Sequence, residues 1–213
     1  MAHQALDHGR VKVALIGATG RAGGAVLGEL IARGHDVTAI ARRASSAVLP
    51  KGLPVHDADI ADPEAIAPLL RGHDAIISAA WFHPGSSEAL VEGIRRSGVR
   101  RALFVGGASS LLDENGRMLI DVLEMPCDWM PTIREGVHLL EVLRATRDLD
   151  WTFVSPPLEI EVGPRRGTYR SHTDQLVKDD EGRSAISFAD YAIAMVDALE
   201  NGSAIRSRFT VGY

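Results

Sequence analysis

Cysteine is nearly missing from this chain of 213 residues. The single one, Cys127, allows no internal disulfide and no metal site built from cysteine pairs, so a reducing, cytoplasmic setting is the expectation. No apolar run reaches the length of a membrane span, and Met1–Arg10 holds no apolar core of signal-peptide length. Residues 1–10 read as a disordered lead-in, and residues 11–213 as one domain. The basic residues are scattered and the net charge is −5, which argues against nucleic acid as the main partner, because a phosphate backbone demands a concentrated positive face. What is present, 46% hydrophobic and 24% charged residues, suits one globular domain with a sizeable core and needs no second domain.

The informative stretch is Val11-Lys12-Val13-Ala14-Leu15-Ile16-Gly17-Ala18-Thr19-Gly20-Arg21-Ala22-Gly23, where an apolar run of strand length breaks into glycines spaced three apart. A pattern of helical period then begins at Ala22, Val26 and Leu30, so the segment reads as strand, tight turn and helix. Gly17 suits a turn that a side chain would obstruct, Gly20 the close approach of a phosphate to backbone, and Gly23 the packing of helix on strand. The helix N-terminus offers free N–H groups and a positive dipole end, so a pyrophosphate is its natural partner. The surroundings agree, since the helix stops at Gly34 and a second strand follows from Asp36 to Ile40.

At the end of that second strand an acidic residue would hold the ribose 2′-hydroxyl of NAD. Arg42 and Arg43 stand there instead, and a guanidinium fork matches a 2′-phosphate, so NADP is favoured and NAD remains possible. A short third strand is expected over Leu53–His56. Asp57 and Asp59 follow in the loop that would flank the adenine, with Asp59 beside the ring, and Asp62-Pro63 reads as N-cap and first helical residue. Ala75–Ala80 is a buried strand whose small final residues leave room for ribose, and Trp81–Gly85 is an aromatic loop before a helix capped by Ser86 or Ser87. Arg101–Val105 is the fifth strand, leading into Gly106-Gly107-Ala108-Ser109-Ser110 where this architecture places its ligand. Leu111–Met130 shows no clear period and is long for a connection; Thr132 with Glu135 then forms a capping-box pattern. Trp151–Ser155 is the sixth strand, stopped by Pro156-Pro157. The tail reads as short strands over Gly167–Ser171 and Ala185–Ser187, a helix over Phe188–Glu200 and a last strand over Arg208–Val211. Strands alternating with helices behind a nucleotide turn imply an α/β fold, a Rossmann-like doubly wound parallel sheet with a small C-terminal extension.

The Gly17–Gly23 motif, Ser155-Pro156-Pro157, Gly167-Thr168-Tyr169-Arg170 and Ile186-Ser187-Phe188-Ala189-Asp190-Tyr191-Ala192 together resemble the atypical short-chain dehydrogenases. Among these the chain is most similar to bacterial NAD(P)H-binding proteins often called NADH-flavin reductases, relatives of biliverdin reductase B and of NmrA-like proteins, over nearly its whole length. The resemblance implies that Gly17, Thr19, Gly20, Arg21, Ala22 and Gly23 meet the phosphates, Arg42 the adenosine ribose or its phosphate, and Asp59 and Ile60 the adenine. It also implies that Ala79 and Ala80 lie by the ribose, Ser109 by the nicotinamide, and the backbone of Ser155, Pro156 and Pro157 by the carboxamide. One departure bears on mechanism. Where the short-chain enzymes carry Tyr-x-x-x-Lys, this chain has Met130-Pro131-Thr132-Ile133-Arg134, and its only tyrosines are Tyr169, Tyr191 and Tyr213.

Without that pair, carbonyl reduction by the tyrosine route is disfavoured. A flavin-like, quinone-like or other conjugated acceptor asks less of the protein, because solvent can protonate it after hydride arrives. The expectation is therefore a reductase acting on a small-molecule acceptor, with Ser109 orienting the nicotinamide or the acceptor. Two alternatives stay open. One is a non-catalytic NADP-binding regulator of the NmrA-like kind; the other is an isomerase or epimerase drawing on His83, His138, Asp113 or Glu135. A homodimer is open too, because a dimerising helix face looks like any other apolar face.

Overall fold

The computed structural model describes residues 9–213. The expected lead-in therefore falls outside the described residues except at Gly9 and Arg10, and Arg10 pairs with Asp36.

The first half of the chain runs β1 (Lys12–Ile16), α1 (Arg21–Ala32), β2 (Asp36–Ala41), β3 (Val55–Asp57), α2 (Pro63–Leu70), β4 (Ala75–Ser78), α3 (Ser87–Ser97) and β5 (Arg101–Val105). The second half runs α4 (Leu119–Val122), α5 (Met130–Ala145), β6 (Asp150–Ser155), β7 (Glu159–Glu161), β8 (Arg170–His172), β9 (Ala185–Ser187), α6 (Phe188–Glu200) and β10 (Ser207–Gly212). The main sheet has eight strands in the order β3-β2-β1-β4-β5-β6-β10-β8, parallel except for β8 at one edge, which runs antiparallel to β10. Strands β7 and β9 form a separate parallel pair.

The central strands are apolar throughout because both faces of the sheet are covered. On one face α1 and α6 pack together, and Val26, Leu30, Ala194 and Met195 bury against Val13, Leu15 and Ile77. On the other face lie α2, α3 and α5, with Ile66, Ile94 and Leu143 against Ile76, Phe104 and Phe153. Chain order turns back between β1 and β4, which pair directly with Ile16 opposite Ser78. A doubly wound sheet opens a crevice at that switch point, beyond the carboxyl ends of its strands.

Several expected boundaries move, each for a physical reason. β3 begins at Val55 rather than Leu53, because it exists only where it pairs with Ala39–Ala41 of β2. Tail strand β8 is Arg170–His172 rather than Gly167–Ser171, since its register is fixed by β10. Thr132 does not cap a helix: α5 already starts at Met130, with Pro131 tolerated in its first turn, where an N–H is not needed. Neither Ser86 nor Ser87 makes a side-chain cap on α3, and the Ser86 hydroxyl donates to the His83 carbonyl at 2.6 Å. The N-terminus of α3 is closed instead by Glu135 of α5, which accepts from the Gly85 and Ser87 N–H groups at 3.0 and 2.9 Å. Leu111–Met130 is irregular as expected, apart from the short α4 and a 3-10 turn at Cys127–Trp129. Among the described residues no helix is long and apolar enough to cross a membrane, and no group of His, Cys, Asp and Glu could hold a metal.

Candidate active site

A cavity of about 980 Å³ occupies the switch-point crevice, and its walls come from the carboxyl ends of β1 to β6. At its centre Gly17, at φ +81°, takes a left-handed conformation, and a Cβ there would stand 2.5 Å from the Ala79 carbonyl oxygen. Gly20 is the N-cap of α1, and a Cβ there would meet only the Gly17 carbonyl oxygen, at 3.4 Å. Helix α1 has no side-chain cap and no acidic residue in its first turn, whereas α2 is capped by Asp62, α3 by Glu135 and α6 by Ser187. Its free N–H groups and dipole end open onto the cavity beside Thr19, Gly20, Arg21 and Ala22, which is the donor set an anion needs.

Next along the sheet, Arg42 and Arg43 line the cavity just past β2, both exposed and neither in an ion pair among the described residues. Asp59 and Ile60 line it past β3, the Asp59 carboxylate accepting from the Ala61 N–H at 3.0 Å. Asp57 is turned away, bonded to Ser45. Past β4 come Ala79 and Ala80, then Trp81, Phe82 and His83, and past β5 come Gly106, Gly107 and Ser109. The Ser109 side chain is half-buried and makes no hydrogen bond among the described residues.

Of the expected contacts, Gly23, Ser155 and Pro157 do not line the cavity. Gly23 lies behind the turn, where its own packing need is strict: a Cβ would stand 2.0 Å from the Gly17 carbonyl oxygen. Ser155 ends β6 in register with Thr210 and is fully enclosed within the sheet, while the adjacent Pro156 reaches the wall. The structure adds Phe188, over which Arg21 lies at 6.0 Å, together with Trp129, Ile133, Gly136, Val137 and the Leu158–Glu161 stretch. For Trp129 the available signal was an aromatic residue inside the irregular Leu111–Met130 stretch.

None of the three tyrosines lines the cavity. Tyr169 bonds Asp197, Tyr191 bonds the Val154 carbonyl and Tyr213 bonds Asp190. Of the four side chains that could serve a non-redox enzyme, only His83 lines it. His138 pairs with Glu88 at 2.6 Å, Asp113 with Arg117, and Glu135 is committed to the start of α3.

Glu135 fixes the wall of the site by joining α5 to the loop after β4. Burial opposes its ionisation, but bonds from the Ser87 hydroxyl and from the Gly85 and Ser87 N–H groups outweigh this and hold its carboxyl below the usual 4.5. A carboxylate depressed on folding contributes stability that is fully present above its unfolded value and lost as pH falls through its folded one. Glu135→Gln is therefore expected to lower stability at neutral pH and to flatten the decline below about pH 5, read from urea midpoints across pH. Parallel acid limbs in the two proteins would contradict the assignment.

A doubly wound sheet with an uncapped glycine turn at its switch point defines a Rossmann-like protein. The chain belongs to the NAD(P)H-binding family, whose sequence profile matches residues 17–202. It is 35% identical over 211 residues to YwnB of Bacillus subtilis (strain 168), a protein named as uncharacterized, covering 94% of this chain and 98% of that one. A solved Bacteroides thetaiotaomicron protein provisionally named an epimerase is 36% identical, with a TM-score of 0.88 over 96% of this chain and 98% of that one. A Streptococcus pneumoniae protein provisionally named an NADH-flavin reductase is 34% identical, with a TM-score of 0.81 over 95% and 99% of the two chains.

Proposed function

We propose that this protein is an NADPH-preferring reductase that passes hydride to a small conjugated acceptor, flavin-like or quinone-like. The observation that carries the cofactor preference is the pair of guanidiniums, Arg42 and Arg43, unpaired among the described residues, at the end of β2 with no carboxylate in the place that would read a ribose 2′-hydroxyl. The turn from Gly17 to Ala22 holds the pyrophosphate through backbone N–H groups, Asp59 and Ile60 bracket the adenine, and Ala79 and Ala80 leave room for ribose. Pro156 and Phe188 wall the nicotinamide end, and the Ser109 hydroxyl, free of other partners among the described residues, orients the ring or its acceptor.

When bound, the nicotinamide supplies the hydride and solvent the proton, so the chain contributes positioning more than acid–base chemistry. The absence of tyrosine and lysine from the cavity wall supports an acceptor of this kind over a simple carbonyl. The name of the Streptococcus pneumoniae relative agrees with the reading.

The Arg42→Ala variant tests the preference. Loss of one charge-assisted contact is expected to weaken NADPH binding about 10- to 100-fold and to leave NADH binding nearly unchanged, measured by titration calorimetry. Unchanged NADPH affinity would overturn the 2′-phosphate assignment.

A further inference from the structure

The cavity is chemically asymmetric. Two of its three lining guanidiniums, Arg42 and Arg43, stand at the end of β2, and the third, Arg21 at the start of α1, lies over Phe188. The half built by the ends of β4, β5 and β6 contributes no arginine or lysine. Its charged lining residues are Glu159 and Glu161 of β7, both about half exposed and sharing one counter-ion, Arg183, at 2.7 and 3.3 Å. Arg183 does not itself line the cavity, so the rim keeps a net negative charge toward whatever enters. His83 is the remaining titratable side chain on this half.

The same half holds two of the chain's three tryptophans. Trp81 and Trp129 come from loops far apart in sequence and meet edge to face, with ring centroids 6.0 Å apart and planes at 73°. They are 55% and 56% exposed, although the third tryptophan, Trp151, is buried. Scattered exposed leucines need no explanation, but two large aromatic rings converging on the mouth of a concave site do. Phe82 and the exposed Leu158 continue the apolar wall.

We infer that this half takes a planar, uncharged conjugated ring held by Trp81 and Trp129, stacked on one indole and edge-on to the other, and that it discriminates against acceptors carrying a phosphate. An aromatic face offers stacking to any flat π-system, whereas a phosphate dianion would find no arginine or lysine on the ends of β4, β5 and β6 beside the tryptophans and would meet two carboxylates on β7. This rests on the reductase reading and narrows its acceptor from flavins in general to unphosphorylated rings.

Riboflavin and FMN differ by that one phosphate, so they form a matched pair of probes. Each is titrated by fluorescence against the full-length protein with and without NADP⁺, and each is then tried as the acceptor for NADPH oxidation. Riboflavin is expected to bind at least about fivefold tighter than FMN at low ionic strength, with the gap shrinking as salt screens the rim. Glu159→Gln with Glu161→Gln is expected to narrow the same gap while leaving riboflavin affinity in place. Trp81→Ala and Trp129→Ala are each expected to weaken riboflavin binding about two- to tenfold without changing NADPH affinity. Equal or tighter binding of FMN, or riboflavin affinity unmoved by both tryptophan variants, would overturn the inference. Riboflavin binding without NADPH oxidation would overturn the reductase reading alone.

Discussion

Gly20→Leu is expected to raise the Kd for NADPH by about 100-fold or more while the melting temperature stays within about 2 °C of the parent. Gly20 has φ −79° and ψ 168°, extended backbone open to any residue, and a Cβ there meets only the Gly17 carbonyl oxygen, at 3.4 Å. The fold therefore has no strong objection to a side chain. The cavity does, because Gly20 caps α1, whose N-terminus has no side-chain cap, and leucine would occupy the space in which an anion approaches those N–H groups. Gly23 is the control with the opposite outcome. A Cβ at Gly23 would lie 2.0 Å from the Gly17 carbonyl oxygen and 2.8 Å from its carbon, so Gly23→Ala must displace the turn itself and lower stability and binding together. Calorimetric titration and thermal melts on both variants separate the two roles. Tight NADPH binding retained by a well-folded Gly20→Leu would mean the turn does not hold the phosphates.

The second large effect is on stability. Asp190→Ala is expected to cost about 3–5 kcal/mol, which for a chain of this size lowers the melting temperature by about 10 °C or more. Asp190 is fully buried near the start of α6, and its carboxylate gathers donors from three parts of the chain. It accepts from the Arg166 and Gly167 N–H groups at 3.1 and 2.9 Å, from the Ser187 hydroxyl at 3.1 Å, and from the Tyr213 hydroxyl. Tyr213 in turn accepts from the Ser187 N–H at 3.1 Å, and the Arg166 guanidinium lies 3.9 Å over its ring. Alanine would leave these donors enclosed without an acceptor, the costly side of removing one hydrogen-bond partner. Asp190→Asn, which keeps one acceptor oxygen, is expected to lose less. Urea denaturation gives both values, and a loss below about 1 kcal/mol for alanine would show that the knot is not what anchors the tail.

That knot also explains why the stretch from Ile186 to Ala192 stands out in the sequence: Ser187 caps α6, Phe188 reaches the cavity, Asp190 gathers the tail and Tyr191 bonds the Val154 carbonyl beneath it. Features whose chemistry is local were legible. The glycine turn is one, since backbone conformation and free N–H groups follow from a few neighbouring residues, and so is Asp62 before Pro63, which caps α2 as its spacing implies. The central strands were legible because burial on both faces makes them continuously apolar.

What escaped depends on partners distant in sequence. Thr132 with Glu135 carries the pattern of a capping box, but the carboxylate has a better-placed set of donors 48 and 50 residues away at the start of α3. Strand β7 is three residues, two of them exposed glutamates, and exists through its pairing with β9. Gly23 and Ser155 belong to the motifs that suggested them, yet packing turns both away from the cavity. The dinucleotide half of the site lies mostly in short motifs after β1, β2 and β3. The rest of the lining comes largely from loops after β4, β5 and β6, and only the adjacency of those strands brings Trp81, Trp129 and Glu159 to one cavity.

The most direct test of the account is NADPH oxidation by the purified protein, followed through loss of the reduced-nicotinamide absorbance, with and without riboflavin or a simple quinone. Oxidation is expected to depend on the acceptor and to proceed faster with NADPH than with NADH at equal concentration. Tight NADPH binding with no acceptor-dependent oxidation would contradict this expectation and would identify the cavity as a sensor of the dinucleotide.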